Sequence, residues 1–442
     1  MGRDGDEQDP NKGHLDSLQT SRPILVIALD GHIALVNSRG LALAGITADT
    51  PDPPGGEIRR DKRGDPTGIL LDNAIGLATD VVPDPTTEQN ARALEAAFEV
   101  MTGQGITSYL DAAAGEQDRA ALAYLSDAGN LPLRPSIAPV VEAEDAADPA
   151  RLLDELEAIR AEHGRPDIAI RTVKMFFDGV IEYPTQTAAM LRPYRKKVNG
   201  EWRPGKNRGP TYFPQEIADR SIAALDAAGW QVHVHAIGDR AVRSALDAFE
   251  HTRATNGHTD NRHTIAHVEI VHPKDLARFG ALGVLPNMQL HWAERDDYTI
   301  DKLKRYIGNR RWRYTYPAGS LQRAEATLCG GSDWPVDPLL PFRQIEIAIN
   351  RKVDEVYAGY PKPLFAGREG LSRKGSILMH IRNSAFQLFQ EDMTGRIMPG
   401  LEADLIVLDR DPFDVKLKKL SNTNVLLTML AGRVVHGSTE LG

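Results

Sequence analysis

Residues 230–240 read Trp230-Gln231-Val232-His233-Val234-His235-Ala236-Ile237-Gly238-Asp239-Arg240. Side chains alternate along an extended strand, so His233 and His235 share a face. Gly238 supplies a turn, and the apolar spacing over 240–253 is that of a helix. The stretch therefore predicts a strand, a tight turn and a helix, with two imidazoles near the strand's carboxyl end. The same unit recurs on both sides. Helices are predicted over 87–103, 117–128, 148–163, 214–228 and 273–282, and strands over 105–111, 133–141, 167–177, 264–271 and 284–290. The run Thr327-Leu328-Cys329-Gly330-Gly331-Ser332-Asp333 follows as a last strand end. Alternation of this kind predicts an α/β fold with a parallel sheet, and enough units occur for a (β/α)8 TIM-like barrel rather than an open sheet.

The flanks differ. Residues 1–20 are a polar lead of disordered character. The run Pro23–Leu29 is apolar, β-branched and short, which predicts a strand buried on both faces. Residues 49–68 are rich in Pro, Gly and charge and read as a loop or small excursion, with a hairpin turn at Lys62-Arg63-Gly64-Asp65. After residue 391 the pattern becomes turn-rich, and strands are predicted over 403–409 and 424–435. The expected organisation is a lead over 1–20, a barrel over 21–390 with a small insertion at about 40–76, and a small β-sandwich appendage over 391–442.

Composition narrows the class. The 442 residues are 41% hydrophobic and 26% charged, with a net charge of −9. That balance is globular, and the negative charge argues against sequence-independent nucleic-acid binding. No apolar run approaches the ~18–20 residues that span a bilayer, and no signal-peptide core is visible at the start. The expectation is a cytoplasmic enzyme with no membrane or nucleic-acid partner. A single cysteine, Cys329, excludes an intrachain disulfide and a cysteine-built zinc site.

The chemistry rests on side chains at predicted strand ends. His233 and His235 can chelate one metal or serve as core histidines with local hydrogen bonds. His263, Ile265, His267 and Glu269 share a face of the next predicted strand. His267 lies nearer its exit and is the better ligand, while His263 reads as a surface residue at the strand start. Asp333 can bind a metal or take a proton from an attacking water, or can simply occupy a turn. Lys174 sits in an apolar context that should depress its pKa, and either carboxylation or pairing with Asp178 would suit it. His32 ends the first strand; His291 and Trp292 end the strand over 284–290 and can face a substrate. G-x-S-x-G, H-E-x-x-H, G-x-x-x-x-G-K-[ST] and G-x-G-x-x-G are absent.

The ordered set VKMFFDG (173–179), HVHAIGDRAV (233–242), RHTIAHVE (262–269), GGSDWPVDP (330–338) and GRIMPGLEADLIVLDRDPF (395–413) resembles the metal-dependent amidohydrolase superfamily. Within it the chain is similar to amidohydrolase family 3, the YtcJ-like branch that includes N-substituted formamide deformylases. LDGHIALVNSRGLALAGIT (29–47) and TPDPPGGEIRRDKRGDPTGIL (50–70) carry the same likeness. The resemblance implies one or two divalent metals, usually zinc, at the mouth of a distorted barrel. It implies Lys174 as a bridging ligand on strand four, His235 and His267 as ligands on strands five and six, and Asp333 as ligand and general base. His233 lies outside the usual ligand set; His32 and Asp178, with His291 and Trp292, are candidate substrate contacts. The family's strand-one H-x-H pair has no counterpart here, so the barrel is expected to be incomplete at its N-terminus. The implied reaction is hydrolysis of amide-type C–N bonds in an N-substituted formamide or N-acyl amine. The alternatives are a truncated or degenerate homologue without hydrolytic activity, and an esterase, lactonase or deaminase on the same site. The expected partner is a small-molecule amide, and unpaired edges in the C-terminal strands favour homo-oligomers.

Overall fold

The computed structural model describes residues 10–18, 20–28, 31, 33–53, 56–183, 185–352, 359–360 and 362–438. It divides into two compact units, 1–86 with 334–337, and 87–333 with 338–442.

The first unit is built on an antiparallel sheet of β1 (Leu25–Ile27), β2 (Ile33–Val36), β3 (Gly56–Arg60) and β4 (Pro66–Asp72), in the order β1-β2-β4-β3. Its core gathers Ala34, Val36, Leu41, Ile58, Leu70 and Ile75. Asn37 caps the helix Ser38–Leu43 by accepting from the Gly40 amide, and it also accepts from the Ile24 amide. That one side chain ties β2, the helix and the chain before β1 together. Two expectations are corrected here. β1 is not buried on both faces: it is an edge strand, with Val26 50% and Ile27 45% exposed. Residues 40–76 are not an insertion in the barrel, because β2 pairs with β4 and closes a separate core. The 49–68 excursion holds strand β3 and the start of β4, joined by a turn in which Asp61 and Asp65 are bonded through their backbones.

In the second unit seven parallel strands follow one another in chain order among the described residues. They are β5 (Ser108–Asp111), β6 (Arg134–Ile137), β8 (Thr172–Phe176), β11 (Gln231–Ala236), β12 (Thr264–His267), β13 (Leu285–Met288) and β14 (Cys329–Gly330). β7 (Ala169–Ile170) pairs with β6, and a parallel bridge from Val140 to Lys174 joins the two arcs. Spatial order equals chain order, with no reversal of the kind that marks a doubly wound sheet, so the winding is that of a barrel. Helices Thr87–Gly103, Glu116–Asp127, Pro149–His163, Gln215–Ala227 and Asp239–Asn256 lie between the strands. Outward-facing Val173, Met175, Val232, Val234 and Ile265 are fully buried and belong to one large hydrophobic cluster. A hairpin of β9 (Arg195–Val198) and β10 (Glu201–Pro204) extends the connection after β8, and its strongly polar sequence carries no apolar alternation that would predict it.

The C-terminal segment forms one antiparallel layer of β15 (Leu405–Leu408), β16 (Val425–Leu430) and β17 (Arg433–Gly437). The single strand expected over 424–435 is a hairpin, because Ala431 and Gly432 both take positive φ and reverse the chain. Thr428 donates to the Thr102 carbonyl at 2.7 Å, and Arg134 pairs with the buried Asp404 carboxylate. Both contacts fix the layer to barrel elements. No helix among the described residues is long and apolar enough to cross a membrane.

Asp226 anchors the entry to β12. It accepts from Asn256, Thr259, Asn261 and His263 at 2.8, 2.5, 2.7 and 3.0 Å. Burial alone would raise its pKa, but the bonds from His263, Thr259, Asn256 and Asn261 outweigh burial and hold it well below the usual carboxylate range. A depressed carboxylate contributes stability above its unfolded pKa of about 4, and the contribution is lost as pH falls through the folded value. Asp226→Asn is expected to cost about 2–3 kcal/mol at pH 7. Urea melts should show the gap between wild type and variant narrowing as pH drops below about 4; a gap independent of pH would show that charge is not what Asp226 contributes.

Candidate metal-binding active site

Lys174 lies within β8, and His233 is its register partner on β11. Period-two alternation then puts Lys174, His233 and His235 on the inner face, with Val173, Val232 and Val234 outside. All three inner side chains are buried. The Lys174 ammonium lies 4.6 Å from the centre of the Phe176 ring. Burial pushes its pKa down to about 8, against the opposing pull of the Asp333 carboxylate.

His267 enters by a different route. Strand register pairs Thr264 with His233 and Ala266 with His235, so Ile265 and His267 should both point outward. Ile265 does, and joins the outer hydrophobic cluster. His267 has φ +71 and Val268 φ +51, which ends the alternation and turns the imidazole toward His235. The two rings lie 4.5 Å apart, centre to centre. The expected common face of His263, Ile265, His267 and Glu269 is therefore corrected. His263 stacks on Phe249 and bonds Asp226, in the layer of helices.

The hydrogen bonds set the tautomers. His267 Nδ1 lies 2.9 Å from Gln289 Oε1, an acceptor, so Nδ1 carries the proton and Nε2 keeps its lone pair. His235 Nε2 lies 3.2 Å from the Gly179 carbonyl and donates to it. Burial drives the His267 pKa down to about 3, with Lys174 adding to the effect and Gln289 opposing it. Burial, then Lys174, His267 and His235, hold His233 well below its ordinary value, and its Nδ1 has no hydrogen-bond partner. Three buried imidazoles, two of them with pKa values held low, together with a lysine of lowered pKa, are a donor set that fits a divalent metal.

Gln289 Nε2 donates to Asn287 at 3.0 Å, Asn287 donates to Gln387 at 2.8 Å, and the Gln387 carbonyl accepts from Gln231. Gln231 in turn accepts from Thr172 at 2.7 Å. This chain of amides fixes His267 from below and links four strands. Nothing in the sequence singles out these residues; only the register of β8, β11, β12 and β13 brings them together.

Asp178 is completely buried. Its carboxylate accepts from the Ala189, Ile237 and Gly238 amides at 2.8, 3.0 and 2.8 Å, and lies 3.6 Å from His235 Nε2. Burial raises its pKa to about 7 against those three bonds. Its place is thus beneath the turn that carries His235. Gly238 is required there, because a Cβ would meet the Ala189 carbonyl oxygen at 2.1 Å. Asp333 follows β14, has φ +58 and is exposed. The short 3-10 helix Leu290–Trp292 carries His291, which is buried, and Trp292, which stacks 5.7 Å from His267. His32 lies outside the described residues. Nothing in the local sequence around Glu269 marks it as part of this region. It is buried and accepts from the Tyr316 hydroxyl at 3.1 Å, and burial followed by Glu182 raises its pKa well above the ordinary value.

The amidohydrolase family model matches residues 4–436. The chain is 29% identical to YtcJ of Bacillus subtilis (strain 168) over 435 residues, covering 96% of this chain and 76% of YtcJ. It is 25% identical to the N-substituted formamide deformylase of Arthrobacter pascens over 447 residues, covering 97% of this chain and 76% of that protein. Among solved structures, an uncharacterized metal-dependent hydrolase from Pyrococcus horikoshii OT3 superposes with a TM-score of 0.72 at 25% identity, over 93% of this chain and 76% of that one.

Proposed function

This chain belongs to the amidohydrolase family, and on that premise we propose that it is a metal-dependent hydrolase of amide-type C–N bonds, with N-substituted formamides or N-acyl amines as substrates. The observation that carries the reading is the convergence of Lys174, His233, His235 and His267 at one buried inner face, with exposed Asp333 at the end of β14. His235, His267 through Nε2, Asp333 and Lys174, as amine or carbamate, would hold one or two zinc ions, and His233 would be a further donor. A bound divalent metal polarises a carbonyl and lowers the pKa of a water toward ~7. Asp333 would take the proton from the attacking water as the water oxygen bonds to the carbonyl carbon. Asp333 then passes the proton to the amide nitrogen as the C–N bond breaks, giving a carboxylic acid and an amine. Gln289 and the Gly179 carbonyl hold the two histidines in the required tautomers. Trp292 and His291 form one wall for the substrate, and Asp178 supports His235 from behind.

The test is amine release from a panel of N-formyl and N-acyl amines, with bound metal measured on the same sample. The expected result is turnover that a chelator abolishes and zinc restores. Stoichiometric metal in the barrel without amine release across the panel would overturn the substrate class. A folded protein that takes up no metal at the barrel donors would overturn the hydrolase assignment.

A further inference from the structure

Away from the barrel mouth, two neighbouring helices meet end to start. Glu116 is the first residue of helix Glu116–Asp127, and Glu162 and His163 are the last two of helix Pro149–His163. One ligand atom from each of the three residues lies within 4.8 Å of the other two. His163 Nε2 is 3.7 Å from Glu162 Oε2 and 3.9 Å from Glu116 Oε1. Both distances are too long for hydrogen bonds. The burial is lopsided: His163 is 4% exposed, whereas the two glutamate side chains are 70% and 68% exposed. Its Nε2 is buried and has no hydrogen-bond partner. An unsatisfied buried ring nitrogen is costly, yet here it lies toward two carboxylates.

The surrounding charges suit a cation. Glu162 sits in the last turn of its helix, where the backbone dipole disfavours a carboxylate. Arg119 does not fill the gap. Its guanidinium bonds Glu116 Oε2 at 3.0 Å and the Ala114 carbonyl at 2.7 Å. That leaves Glu116 Oε1 turned toward His163 and compensates part of the carboxylate charge. We propose that Glu116, Glu162 and His163 form a second divalent-metal site, of the zinc class, independent of the barrel donors and of the proposed reaction. One imidazole nitrogen with two carboxylate oxygens suits zinc or its neighbours, whereas magnesium and calcium favour all-oxygen shells. Ligand bonds of about 2.0–2.2 Å place tetrahedral donors roughly 3.3 Å apart. Small rotations of two exposed glutamates bring 3.7 and 3.9 Å to that spacing. Water completes the shell on the open side. The ion would tie the start of one barrel helix to the end of the next.

The experiment uses the full chain stripped with chelator and titrated with zinc by calorimetry, with thermal melts on the same samples. His267→Ala removes a barrel donor and weakens the barrel site, so that the second site fills first. The expected result is about one equivalent bound by His267→Ala, with a rise in Tm at about 100 μM zinc. Adding Glu162→Gln is expected to weaken that binding by roughly tenfold or more and to abolish the rise. Cobalt in place of zinc should give a visible band in His267→Ala that Glu162→Gln removes. Glu162 is a surface residue, so its substitution leaves the fold intact where His163→Gln need not. Zinc binding by His267→Ala that is unchanged by Glu162→Gln, or no binding by His267→Ala, would overturn the site. Either outcome leaves the barrel reading standing, since wild-type turnover and its loss in His267→Ala report on that separately.

Discussion

Asp333→Asn is expected to lower kcat by about 10²–10⁴-fold while leaving the melting temperature close to wild type. The side chain is exposed beyond the end of β14, and Asn keeps its size, so little packing is lost. On the proposed mechanism it removes the basic oxygen that takes a proton from water and returns it to the departing nitrogen. A loss of that size corresponds to about 3–5 kcal/mol of barrier. Because the proton is in flight only during the reaction, kcat should fall and KM should change little. Steady-state kinetics on the best N-formyl or N-acyl amine, with metal content matched between samples, is the measurement. A variant that keeps more than a tenth of wild-type kcat would remove Asp333 from the general-base role.

The second large effect is expected at His267. His267→Ala should weaken metal binding at the barrel by on the order of 100-fold or more and abolish turnover. Its companion, Gln289→Leu, leaves the ligand in place but removes the acceptor that holds the proton on Nδ1. That change should cost about 10–100-fold in affinity, because the ring is then free to rotate and to take the other tautomer. Zinc competition against a chromophoric chelator reads both. Equal affinity in wild type and Gln289→Leu would show that the backbone turn at His267 alone orients the ring. Unchanged affinity in His267→Ala would remove it from the ligand set.

The two residues differ in how far the sequence reaches them. His235 was legible because alternation along Val232-His233-Val234-His235-Ala236 is a local rule that the completed sheet obeys. His267 was picked for its closeness to a strand exit, but the face assigned to it was wrong. The left-handed backbone at His267 and Val268 is imposed by packing, and neither residue type announces it. Asp178 was read as a substrate contact, yet its carboxylate accepts three amides from two connections remote in sequence. The first unit was misread for a related reason. An apolar run such as Leu25-Val26-Ile27 suits a central parallel strand or a sheet edge equally well, and only pairing with β2 decides.

The sequence by itself determined the alternation of strands and helices in the second unit, and the family. Each follows from periodicity, from turn residues or from short motifs whose meaning is contained within a few neighbours. Tertiary structure alone decided which side chains meet. Strand register set His233 beside Lys174, a backbone reversal brought His267 to His235, and a chain of amides through Gln289, Asn287 and Gln387 holds it there. Helix packing likewise brought Glu116 to His163 across 47 residues of chain. The reason is physical: burial and hydrogen-bond satisfaction are properties of the closed core, and no local stretch of chain encodes which distant partner will supply them.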